Sequence, residues 1–134
     1  MYDITIMKAQ FYMAMAAISG ALAVSMGAFA THGLKDILSP KLMAVMQTGV
    51  QYQFYHTFAL LLVGILLRQQ ASRLLSLSAA AFLIGLFLFC GSLYLLAFSG
   101  AHWLGIVTPL GGLAFIVGWL SLAGFFLFKD RGDV

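Results

Sequence analysis

Three tracts of this chain, residues 9–34, 42–67 and 74–128, contain no Asp, Glu, Lys or Arg. A hydrocarbon core of about 30 Å is crossed by roughly 20 helical residues. Each of the first two tracts holds one span, and the third holds two, divided by Ser99, Gly100, His102 and Thr108-Pro109. With 63% hydrophobic and 8% charged residues the chain has too few polar groups to cover a water-facing surface, so a bilayer is its natural solvent. Backbone amides must be paired internally there, which leaves helices or a closed barrel. Barrel strands alternate apolar and polar residues, and these tracts do not. The expectation is an all-α integral membrane protein, a bundle of four transmembrane helices in one domain, 1–134.

Local signals place the helices at about 9–31, 40–67, 74–98 and 108–128. Ser39-Pro40 and Thr108-Pro109 each read as a capping hydroxyl followed by a proline at the first helical position. Gly33 ends the first helix, and Gly49 marks a bend in the second. Lys8 ahead of an apolar run ending Ala28-Phe29-Ala30 resembles a secretory signal, but the run exceeds a typical signal core, so a retained span is expected. Helix one carries two small-residue stripes, Ala14, Ala17, Ala21, Ser25, Ala28 and Ala16, Gly20, Ala23, Gly27, Ala30. Small residues let backbones approach in lipid, which predicts this helix at the bundle centre. Gly111, Ala114, Gly118 and Ser121 give helix four a small face as well.

Lys8, Arg68, Arg73, Lys129 and Arg131 fall on the side shared by both termini, against Lys35 and Lys41 on the other. That asymmetry predicts cytoplasmic termini. F-A-T-H-G-L leading to S-P after helix one parallels F-S-G-A-H-W-L leading to T-P after helix three, a pattern that two related helical hairpins would produce. Tyr2, Tyr12 and Trp103 read as interface anchors, and Trp119 as packing within helix four.

Against this apolar background residues 47–57, Q-T-G-V-Q-Y-Q-F-Y-H-T, stand apart. Helical spacing aligns Thr48, Tyr52 and His56 on one face, with Gln47, Gln51 and Tyr55 on the strip beside it. His56 lies about 18 Å along the helix from Arg68, near the bilayer midplane. An ionisable group at that depth belongs in the bundle interior and is a functional candidate. Ser25, Ser92 and Tyr94 are the polar partners that the other helices offer it. A neutral histidine that cross-links helices is the plain reading; a ligand or proton site is the alternative. Haem fits less well, because no two histidines share a helix at ligating spacing. His32 and His102 are candidates for a pair at the outward mouth.

Asp3, Asp36, Asp130 and Asp133 all lie outside the spans, which leaves no intramembrane carboxylate for proton coupling. The single cysteine, Cys90, sits in an apolar run and reads as a small buried hydrophobe. The scattered cations form no stripe for nucleic acid, and no nucleophile with its base, metal motif or cofactor motif is present. The reading is a non-catalytic accessory or assembly protein that associates with itself or another membrane protein. The alternative is a small transporter or ligand-binding protein built around His56.

The segments G-A-F-A-T-H-G-L from Gly27, Q-T-G-V-Q-Y-Q-F-Y-H-T from Gln47, F-C-G-S-L-Y-L-L-A from Phe89 and T-P-L-G-G-L-A-F-I-V-G-W from Thr108 resemble, in order and over nearly the whole chain, the YgdD-like family of small bacterial inner-membrane proteins. The resemblance implies four transmembrane helices in the inner membrane. It implies no reaction, since the family has none established.

Overall fold

A computed structural model describes residues 2–128, and side chains from Ile4 onward; the Tyr2 and Asp3 side chains, and Lys129, Asp130, Arg131 and Asp133 altogether, lie outside the described residues. Four long helices account for nearly all of them: α1 (Tyr2–Gly33), α2 (Pro40–Gln69), α3 (Arg73–Ser99) and α4 (Val107–Phe128). All four are long and apolar enough to cross a membrane. The start of α1, the end of α4 and the α2–α3 turn define a terminal end; the α1–α2 and α3–α4 loops define a distal end.

The start of α2 follows its local chemistry, with Pro40 in the first turn and the Ser39 hydroxyl accepting from the Leu42 amide at 3.2 Å. Ser72 caps α3 in the same way through Leu75, also at 3.2 Å. α3 ends where Gly100 adopts φ 70°, a left-handed conformation that glycine takes at no steric cost, and its amide closes on the Leu96 carbonyl at 2.8 Å.

Two local expectations are corrected. α1 continues through Gly33, so His32 belongs to its last turn and not to a loop. Thr108 does not cap α4: a 3₁₀ turn at His102–Ile106 runs directly into the helix, and the Thr108 hydroxyl lies 3.4 Å from the Leu104 carbonyl. Helical structure continues unbroken through Gly49, whose missing side chain makes room for Tyr94, since a Cβ there would lie 2.7 Å from that ring.

The most extensive packing joins sequence neighbours, α1 with α2 and α3 with α4, and α2 against α3 unites the two hairpins. α1 is therefore an edge helix, contrary to the central place its small residues suggest. Only one of its stripes is used: Ala9, Ala16, Ala23 and Ala30, seven residues apart, are buried with Ser19 against α2. Ala14, Ala17, Ala21, Ser25 and Ala28 are exposed. α4 does use its small face, burying Gly111, Gly118 and Ser121. Leu60, Val63, Leu67, Leu75, Phe82 and Phe125 fill the shared core.

Candidate functional site

α2 turns its polar segment in two directions. Gln53, His56 and Thr57 point inward and are buried, whereas Gln47, Gln51 and Tyr55 are exposed. Tyr52 stands at the boundary, 37% exposed, and Thr48 spends its hydroxyl on the Ala44 carbonyl of its own helix at 3.0 Å.

The inward residues build two separate centres. In the first, the Gln53 carboxamide donates to the carbonyl of Ser19 at 3.0 Å and to its hydroxyl at 3.1 Å, while its oxygen accepts from the Tyr94 phenol at 2.5 Å. The Ser19 and Thr57 hydroxyls share a bond of 2.7 Å. One carboxamide thus ties α1, α2 and α3 together, and Gly49, one turn away on α2, gives the phenol its access.

The second centre is His56. Its Nδ1 lies 2.8 Å from the Tyr52 carbonyl, and the Trp119 indole N–H donates to its Nε2 at 3.1 Å. An indole nitrogen only donates and a carbonyl only accepts. The imidazole is therefore the neutral Nδ1–H tautomer with both nitrogens engaged. Its ring lies flat on Phe115, centroids 3.5 Å apart at 7°. Phe115 in turn occupies the hollow left by Gly85 on α3.

Ser25, Ser92 and Tyr94, grouped with His56 on sequence, do not join it. Ser25 bonds to the Ala21 carbonyl at 2.8 Å on an exposed face, and Tyr94 belongs to Gln53. Ser92 donates to the Phe89 carbonyl at 2.9 Å and meets the Thr108 hydroxyl at 2.6 Å, fastening α3 to α4. Phe89 lies in a π-helical stretch, Leu86–Cys90. His32 and His102 are both exposed, and among the described residues no hydrogen bond or ring contact joins them.

Sequence reasoning left Ser19, Gln53 and Thr57 out of the site and read Trp119 as packing alone. A signal existed for three of them: Gly49, Gln53, Thr57, Leu60 and Gly64 recur at helical spacing as a buried stripe, and Ser19 sits within the alanine heptad it faces. Trp119 had none, because its partner is 63 residues away.

Two clefts flank α2. An open cavity of about 830 Å³ lies between it and α4, lined by Tyr52, Tyr55, His56, Gly112, Phe115 and Trp119. A smaller one of about 300 Å³ lies between α1 and α3, lined by Ile18, Leu83 and Phe87 over the Ser19, Gln53 and Tyr94 centre. Among the described residues no buried side-chain nitrogen or oxygen lacks a partner, and no three His, Cys, Asp or Glu side chains gather where they could hold a metal ion.

Residues 26–112 match a family described as "Protein of unknown function (DUF423)". The chain is 44% identical over 112 residues to a UPF0382 membrane protein of Haemophilus influenzae, covering 84% of this chain and 90% of that protein. It is 41% identical over 113 residues to the UPF0382 membrane protein YwdK of Bacillus subtilis, covering 83% and 91%. Against the UPF0382 inner membrane protein YgdD of Escherichia coli K12 the identity is 38% over 127 residues, covering 94% and 97%. No solved structure matches the chain.

Proposed function

Because this chain belongs to the DUF423 family of membrane proteins, a family that carries no assigned activity, we propose that it acts without catalysis, as an accessory protein that associates within the membrane through the exposed face of α2. It is a multi-pass protein of the inner membrane with four apolar helices. In this reading both termini lie in the cytoplasm, following the excess of Lys and Arg at the terminal end.

The supporting observation is where polar capacity is spent and where it is not. Every buried polar side-chain atom among the described residues is paired. Gln47 and Gln51, by contrast, are exposed and their carboxamides have no partner among the described residues. Gln51 lies about 26 Å along α2 from Arg68, inside a core of about 30 Å. A carboxamide there gains by bonding across a helix–helix contact. Since it both donates and accepts, two copies of Gln51 related by a twofold axis along the membrane normal would satisfy each other, which makes a second copy of the chain the first partner.

In a Cys90→Ser background, Gln51→Cys is expected to form a disulfide-linked dimer when native membranes are oxidised, and Val24→Cys, on the exposed face of α1, is not. Capture of a different membrane protein at position 51 keeps the accessory role and replaces the partner. A monomeric mass in lipid nanodiscs together with no crosslink at positions 47, 51 and 55 overturns the proposal.

A second reading, binding of a lipid-soluble ligand with a polar head, is favoured by the cleft between α2 and α4, whose aromatic walls bring Tyr52, Tyr55 and the His56–Trp119 pair to one opening. It predicts a small molecule that copurifies in native mass spectra and is lost on Gly112→Leu, which adds a bulky side chain to the lining of the cleft. Spectra of the intact protein that show only bulk phospholipid remove this reading.

A further inference from the structure

A third cavity, of about 410 Å³, opens at the terminal end of the bundle and plays no part in the polar centres described above. The N-terminal turns of α1 contribute Thr5 and Lys8, the first turns of α3 contribute Ser72, Arg73 and Ser76, and Leu67 at the end of α2 closes the apolar side. We infer that this cavity is a binding site for the phosphate of an anionic phospholipid headgroup.

Four observations converge on that chemistry. Lys8 and Arg73 come from different helices and line one cavity, which places two fixed positive charges around it. Neither has a carboxylate partner among the described side chains, where the sole carboxylate, Asp36, lies at the distal end. Ser76 and the positive N-terminus of α3 border the same space, and such donors suit an anion bearing several acceptor oxygens. Finally, Lys8 and Arg73 stand where uninterrupted apolar tracts begin, at residues 9 and 74, the level at which headgroups meet hydrocarbon. The Leu67 wall and Ile4 accommodate the start of an acyl chain, which a free phosphate would leave uncovered.

The test is lipid retention by the intact protein in native mass spectrometry, after reconstitution with equal phosphatidylglycerol and phosphatidylcholine. Wild type is expected to retain phosphatidylglycerol preferentially. Lys8→Gln with Arg73→Gln should weaken that retention about thirty-fold, the expectation for two juxtamembrane cations. Lys8→Arg with Arg73→Lys should keep it, which separates charge from folding. Lys35→Gln with Lys41→Gln removes the same net charge at the distal end and should leave retention unchanged. Equal loss in both neutralised variants would mean diffuse attraction and would overturn the site. Displacement of phosphatidylglycerol by millimolar inorganic phosphate would assign the cavity to a soluble phosphate and overturn the lipid.

Discussion

The α1–α2 hairpin meets along alanines and a buried carboxamide, whereas the α3–α4 hairpin interlocks phenylalanines with glycines. In the first, Ala9, Ala16, Ala23 and Ala30 let the helices approach, and Ser19, Gln53 and Thr57 bond across the seam. In the second, Phe82 sits over Gly118, Phe115 over Gly85 and the Phe89 backbone against Gly111, so knob and hollow alternate along two antiparallel helices. That approach is close enough for Ser78 to donate to the Gly118 carbonyl at 2.7 Å. Hydrocarbon removes the hydrophobic drive between helices and leaves dispersion and hydrogen bonding to hold them. Each hairpin relies mainly on one of these two forces, so each should fail in its own way.

The largest effect is expected at the α3–α4 seam. A Cβ at Gly111 would overlap the backbone nitrogen of Phe89, and backbone yields less readily than a side chain. Gly111→Leu should cost about 3 kcal/mol or more by overpacking. Gly91, on the same helix as Phe89, has nothing within 4 Å of an added Cβ. Gly91→Ala should therefore be neutral within about 1 kcal/mol. Unfolding in mixed micelles, followed by helix content, measures both. Equal losses in the two variants would mean that the seam is not held by fit.

Gln53→Leu tests the α1–α2 seam together with its bond to α3 and should cost about 2 kcal/mol, because it strands the Tyr94 phenol and the Ser19 groups in a site where Gln53 is 7% exposed. Tyr94→Phe should cost about 1 kcal/mol, and the double variant less than the sum, since the two residues share one bond. Strict additivity would mean that the carboxamide acts by packing alone.

The difference between the hairpins also explains what the sequence made legible. Four spans were readable because apolar runs of membrane length are interrupted by Ser39-Pro40, by Arg68 to Arg73 and by Gly100, and each interruption acts locally. The position of α1 was not, because its two small stripes are chemically equivalent and only the side chains of α2 select one. Gln51 and Gln53 show the same limit within a single helix. Both are glutamines of one polar segment, yet one is exposed and the other anchors three helices. Their roles are set by Ser19 and Tyr94, 34 and 41 residues away from Gln53. Periodicity identifies a face and leaves open what it meets.

A smaller effect than at Gly111 or Gln53 is expected where the two hairpins are joined by a ring-to-ring bond. Trp119→Phe removes the N–H that Nε2 of His56 accepts and keeps an aromatic ring edge-on to Phe82, now 5.0 Å away at 75°. The cost should be about 0.5–1.5 kcal/mol, as for other interhelical bonds in lipid. It falls below that of Gln53→Leu because Trp119 is 45% exposed beside an open cleft, so another donor can reach the nitrogen, whereas nothing replaces a carboxamide inside the seam. Imidazole ¹⁵N shifts supply the sharper check. Wild type should show the neutral Nδ1–H form, and Trp119→Phe should move the Nε2 resonance while leaving Nδ1 on the Tyr52 carbonyl. A wild-type spectrum of the Nε2–H form would remove the bridge, since two donors cannot share that bond, and Tyr94 with Gln53 would then be the polar link between the hairpins.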